Sequence, residues 1–198
     1  MKSKILLLMG LMIVSCKGQT DLENLKYDES ITKIIETIND KKEDRDPTYG
    51  LLSYRIDNLN GFKYGDVSFS KFSVNQGYDD SYSEIYLHVN NYSENKFLGF
   101  SMQIAKEEEG KKLVDYLKKK YGNPDDRETG DNGTASFWNL DKNKQWIFLI
   151  QSTEKTKTKA NYLNTSIVIV KQGVRVSNST DLSVFTVLDN FNLGYPKK

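Results

Sequence analysis

The chain has one cysteine and one histidine, and that scarcity removes several chemistries at once. Cys16 has no second cysteine with which to form an internal disulfide. Zinc held by Cys and His is excluded within the chain, because such sites gather three or four of these ligands. His88 falls on the polar phase of an alternating stretch, and no Gly-x-Ser-x-Gly element supplies a nucleophile, so it reads as a strand-surface histidine without a catalytic role. Gly130 and Gly133 precede a strand pattern rather than a helix and lack a following Lys-Ser/Thr, which argues against a phosphate loop. Oxygen ligands occur at Asp79–Asp80 and along Asp125–Asp131, but neither has the EF-hand spacing, and solvated loop carboxylates are the expectation. Nothing calls for a cofactor or a metal. The charges, 28 basic against 27 acidic, leave no field of one sign, so no nucleic-acid partner is expected. No uninterrupted apolar run reaches the ~20 residues needed to span a bilayer, and no repeat of 20–50 residues is evident.

What is present begins at the N-terminus. Lys2 and Lys4 precede an apolar run from Ile5 to Val14, the layout of a signal peptide rather than of a domain. Ile13-Val14-Ser15-Cys16 closes that run and resembles the lipobox of bacterial lipoproteins; Cys16-Lys-Gly-Gln is similar to lipoprotein starts in the Bacteroidota. The resemblance covers little beyond residues 1–16. It implies a signal peptide at 1–15, cleavage before Cys16, lipid on the Cys16 sulfur, and a membrane-bound place in the cell envelope. Lys17 rather than Asp after the cysteine favours the outer membrane by analogy. Loss of Lys2 and Lys4 leaves 26 bases against 27 acids, so no polybasic patch assists the anchor. Residues 16–27 read as the lipidated cysteine and a polar tether reaching about 35–40 Å when extended. Residues 28–198 read as a single domain.

Within that domain the clearest element is a helix over Lys106–Tyr121. Glu107, Glu108 and Glu109 open it and Lys118, Lys119 and Lys120 close it, complementing the helix dipole at both ends. Leu113, Leu117 and Tyr121 form one stripe, widened by Val114 and Tyr116. Gly122 predicts a left-handed stop, and Pro124 prevents resumption. Ile31, Ile34, Ile35 and Ile38 suggest an earlier helix over Asp28–Asp40, and Thr180–Asn192 leans to a helix; Lys41–Pro47 reads as a solvated loop. Alternation marks strands at Leu51–Asp57, Phe62–Val74 (with a phase slip expected as a bulge near Ser70 and Lys71), Ile85–Val89 and Leu98–Ile104. A hairpin follows over Ala135–Leu140 and Gln145–Gln151, and Ile167–Val170 is apolar on both faces, as a central strand is. The class is α+β: a mostly antiparallel sheet of about six to seven strands with two or three helices packed on one face.

The twelve tyrosines include Tyr78, Tyr82, Tyr86 and Tyr92 around one strand, either amphipathic sheet residues or a cleft lining. With no catalytic motif, the expected function is a non-enzymatic binding or interaction domain recognising a protein or another envelope component. The alternatives are a periplasmic hydrolase using acidic residues, for which no carboxylate pair stands out, and an immunity or inhibitor lipoprotein.

Overall fold

The computed structural model describes residues 18–76, 80–129 and 133–197. Its frame is one sheet of eight strands, all paired antiparallel: β2 (Lys42–Arg45), β3 (Leu52–Ile56), β8 (Glu84–Val89), β9 (Phe97–Ile104), β10 (Asp125–Arg127), β11 (Gly133–Leu140), β12 (Gln145–Lys155) and β13 (Asn161–Lys171). Across the sheet the order is β10-β11-β12-β13-β9-β8-β3-β2. The two strand blocks of the sequence are therefore two halves of one sheet, joined where β13 pairs with β9. Five more short strands form two small sheets: β1 (Thr20–Asp21), β4 (Phe62–Tyr64) and β5 (Val67–Ser68) in one, β6 (Ser73–Asn75) and β7 (Asp80–Tyr82) in the other. The α+β class holds loosely; the chain is richer in strand than the expected six or seven.

Helix α2 spans Glu107–Tyr121 and buries Leu113 and Leu117 against the sheet. Gly110 lets the helix approach β13 closely, since a Cβ there would stand 2.3 Å from Thr165 Oγ1. Gly122 ends the helix at φ +82°, ψ −171°. That φ is positive as expected, but the ψ is extended rather than left-handed helical, a region almost restricted to glycine. Trp138 Nε1 donates to the Gly122 carbonyl at 2.9 Å, locking the β11–β12 hairpin to the helix stop.

The helices do not share one face. Ile85, Leu87, Phe100, Met102, Ile147 and Ile169 point to the α2 side. Phe137, Phe148, Val168 and Val170 point the other way, where α3 (Val187–Gly194) lays Val187 and Phe191 on them. Strand β13 is apolar on both faces because each face has its own core. Helix α3 starts later than expected, at the capping box formed by Thr186 and Asp189. The early helix is only α1 (Thr32–Glu36); isoleucines are weak helix formers, and Asp28 adopts φ +66° before it. Lys42–Arg45, expected as a loop, is the edge strand β2, with all four residues exposed, a charged edge that resists further pairing. No bulge occurs at Ser70–Lys71: the Phe62–Val74 stretch divides into strands of two different sheets, and these residues link them.

The expected tether is also corrected. From Gln19 onward its described residues belong to the fold. Thr20 and Asp21 pair in parallel with β4, Leu22 is buried, and Glu23 accepts hydrogen bonds from Tyr116 Oη at 2.7 Å and Tyr121 Oη at 2.9 Å. Polar residues without periodicity read as free chain; here they are held by specific hydrogen bonds, which leave no periodic trace. Cys16 and the signal segment lie outside the described residues. Among those described, no helix is long and apolar enough to cross a membrane.

Candidate functional site

The sheet face opposite α2 is apolar only beneath α3. Toward β9, β8 and β3 the same face becomes polar, because Val168 of β13 stands beside Ser101, then Tyr86, then Arg55 across the strands. In the next row Ser166 pairs with Gln103, and Gln103 with Glu84. Arg55 is the centre of this region. Its Nε lies 2.8 Å from Glu84 Oε2 and 3.1 Å from Asp57 Oδ1, its Nη2 donates to Tyr82 Oη, and its guanidinium carbon lies 5.5 Å from the Tyr82 ring centroid and 6.0 Å from that of Tyr86.

The electrostatics follow from partial burial. Burial pushes the Glu84 carboxyl up, and the Arg55 charge only partly offsets it. For Arg55, burial works against the charge, but Glu84, Asp57 and the tyrosines outweigh it and hold the guanidinium more firmly protonated. Tyr86 is pushed well above the usual tyrosine range, first by burial and then by Glu84.

Beside Arg55 opens a cleft of about 370 Å³ lined by Asp57, Lys71, Phe72, Ser73, Asp80 and Tyr82. Phe72 and Tyr82 expose more than a third of their surface (37 % and 38 %), so two aromatic rings, two carboxylates and one ammonium share this rim. The β6–β7 hairpin that carries the rim is pinned from behind. Gln76 Nε2 donates to Glu154 Oε2 at 2.6 Å, Tyr162 Oη donates to the same oxygen at 2.5 Å, and Asn164 Nδ2 donates to Glu154 Oε1 at 2.7 Å. Burial alone would raise the Glu154 carboxyl; these donors together hold it below its ordinary range. A larger cleft of about 620 Å³, lined by Gly18, Ile38, Asp40, Asn58, Gly61 and Phe62 among others, lies where the chain enters the fold and has no comparable cluster of charges.

The four tyrosines of the sequence separate. Tyr82 and Tyr86 meet at Arg55, Tyr78 lies outside the described residues, and Tyr92 packs edge-on against Tyr54 with centroids 5.4 Å apart and donates to the Asp44 carbonyl. Arg55, Asp57, Lys71, Phe72 and Glu84 were not singled out by the sequence; they come together only through strand register and a loop. Asp125 of the expected oxygen-rich loop belongs to β10 and lies 3.4 Å from both Arg127 and Lys197. Among the described residues no group of three His, Cys, Asp or Glu side chains could hold a metal ion.

His88 is not on the surface. It is fully buried, because the Asp46–Leu51 turn and the Ser177–Asn178 turn cover this end of the face. Asn178 Oδ1 accepts from Leu52 N at 2.6 Å, Asn178 Nδ2 donates to the Val89 carbonyl at 2.8 Å, and Asp46 takes the backbone N–H groups of Thr48, Tyr49 and Leu51. Ser53, His88 and Asp46 are thus neighbours that do not form a triad: both Ser53 and His88 are sealed from any substrate, and the Asp46 carboxylate is engaged by its own turn.

No protein family, no curated protein and no solved structure matches this chain.

Proposed function

We propose that this chain is a lipid-anchored protein of the bacterial envelope whose domain binds a partner without catalysing a reaction. Signal peptide 1–15 would be removed, Cys16 would carry the lipid, and the outer membrane is the favoured location. One observation carries the binding role: the exposed rings of Phe72 and Tyr82 frame a charged cleft beside a hairpin that Gln76 ties to Glu154. Aromatic rings beside fixed charges supply contact area and orientation with little side-chain ordering, which is what a recognition surface needs. Photocrosslinking from position 82 in native envelope membranes tests this reading. A discrete adduct that is lost in the Phe72→Ala protein supports it; no adduct, or one equally strong from a crosslinker on the far hairpin at Lys142, overturns it.

The acidic-hydrolase reading has one observation in its favour, the raised carboxyl of Glu84 near the Asp57 and Asp80 side of the cleft. Against it, Arg55 stands against both Glu84 and Asp57, so both carboxylates are turned to an ion pair within the chain rather than to a substrate. Turnover of an envelope polymer that disappears in the Glu84→Gln protein would restore this alternative. For the immunity or inhibitor reading, the same crosslinking experiment would return a toxin or enzyme as the adduct.

A further inference from the structure

We infer that the domain does not swing on a tether but sits against the lipid headgroup layer through one fixed edge, the end of the β1-β4-β5 sheet. This rests on the reading that Cys16 carries the lipid.

Chain length sets how far the domain can stand from its anchor. Free movement requires free residues between the anchor and the first fixed contact. Among the described residues the first fixed contact is Gln19, whose Nε2 donates to the Asn60 carbonyl at 3.0 Å and whose Oε1 accepts from Ser68 Oγ at 2.7 Å. Thr20 and Asp21 then pair with Phe62 and Lys63. Asp21 Oδ1 accepts from Gly65 N at 3.0 Å, and its Oδ2 is 3.3 Å from Lys63 Nζ. The Leu22 side chain is buried, and Glu23 meets Lys120 Nζ at 2.6 Å on α2. From Cys16 to Gln19 are three residue steps, at most about 10–11 Å of extended chain. That length only just exceeds the headgroup layer of one leaflet, about 5–8 Å, so the point where Gln19 docks stays at the headgroups however the domain turns. The segment Asn58–Gly61, at the end of β4 where Gln19 docks, must therefore face the membrane.

The chemistry of that edge fits headgroups rather than the hydrocarbon interior. Asn39, Asp40, Asn58, Asn60, Gly61 and Ser68 are its exposed residues, polar and without a large apolar side chain to insert. Asn60 also accepts from Lys71 N through Oδ1 at 3.0 Å, so the cleft of Phe72 and Tyr82 begins beside the same edge and its ligand would be met close to the membrane.

Two glycines give labels with little disturbance. A Cβ at Gly61 or at Gly194 would meet nothing within 4 Å, and neither position has positive φ. Gly61 lies on the proposed edge, and Gly194 ends α3 on the opposite face of the main sheet. Full-length Gly61→Cys and Gly194→Cys proteins, expressed with their signal segments and purified from membranes, would be labelled with a thiol-reactive fluorophore. They would then be reconstituted into phosphatidylethanolamine–phosphatidylglycerol vesicles carrying headgroup quenchers. A lipidated Cys16 takes no label, so the unsubstituted protein is the control. Several-fold stronger quenching of the Gly61→Cys label than of the Gly194→Cys label is expected. Equal quenching with Cys16 blocked would overturn the fixed edge and leave the lipid anchor standing. Labelling of Cys16 in the unsubstituted protein would overturn the anchor, and the edge with it.

Discussion

The Ser53 hydroxyl lies 2.8 Å from His88 Nδ1 and gives its single proton to the Leu51 carbonyl at 2.7 Å. It must therefore accept from His88, which fixes the proton on Nδ1 and leaves Nε2 buried with no hydrogen-bond partner among the described residues. Burial pushes the imidazole down to about 4, a little opposed by Asp46. The unfolded chain binds this proton near pH 6.5 and the folded chain only near pH 4, so the unfolded state gains protons first as the pH falls. Stability is complete above pH 6.5 and lost across that window, by on the order of 3 kcal/mol. Urea denaturation at steps between pH 7 and pH 4 should show this slope in the wild type and little of it in His88→Asn, which retains a donor for Ser53. The same substitution should leave crosslinking at the cleft unchanged.

Arg55 and Glu84 make a half-hidden ion pair, with side chains 23 % and 12 % exposed. Removing one partner strands the other. Breaking a fully buried pair costs about 3–5 kcal/mol, and solvent access places Arg55→Met at or below the lower end of that range. The double substitution Arg55→Met with Glu84→Leu should recover much of the loss in chemical denaturation. If the cleft binds through this charge, the recovered protein stays folded and loses its crosslink.

The N-terminal strap is part of the fold. Leu22→Ala removes a buried side chain and should cost about 2–5 kcal/mol, a loss that thermal melting of a Gly18–Lys198 protein would register. A protein starting at Asp28 loses Leu22 and the Glu23 contacts together and should melt lower still, whereas a free tether would make the two starts equivalent.

Gly122 combines φ +82° with ψ −171°, and Gly99, at φ +143°, passes so close to β13 that a Cβ would lie 2.2 Å from the Ile169 carbonyl oxygen. Gly122→Val should cost about 1–3 kcal/mol through backbone strain alone, since the space around it is open. Gly99→Ala should cost more, because the sheet itself must part. Melting of both variants against wild type tests the order.

Where one local signal dictated the structure, the sequence could be read. The acid-to-base polarity and four-residue stripe of α2, the β11–β12 hairpin and the two-faced apolar run of β13 were each legible, because the pattern lies within a dozen residues. Elements defined by distant partners were not. Arg55 and Glu84 are both polar-phase strand residues, and only the pairing of β3 with β8 brings them together. The polar phase of His88 suggested solvent, but two turns from far apart in the chain close over it. Residues 19–23 lack periodicity because hydrogen bonds to β4, β5 and α2, rather than an apolar stripe, hold them. The Phe62–Val74 slip was visible, but a bulge and a passage between two sheets leave the same trace in one sequence.

The central claim, a binding domain held at the envelope by lipid on Cys16, is tested most directly by the mass of the N-terminal peptide of the protein purified from its own cells' membranes. The account predicts a chain that begins at Cys16 and carries the added mass of a diacylglyceryl thioether, with or without a further acyl chain on the amine. A mature chain beginning at any other residue, or beginning at Cys16 with a free thiol, would contradict it.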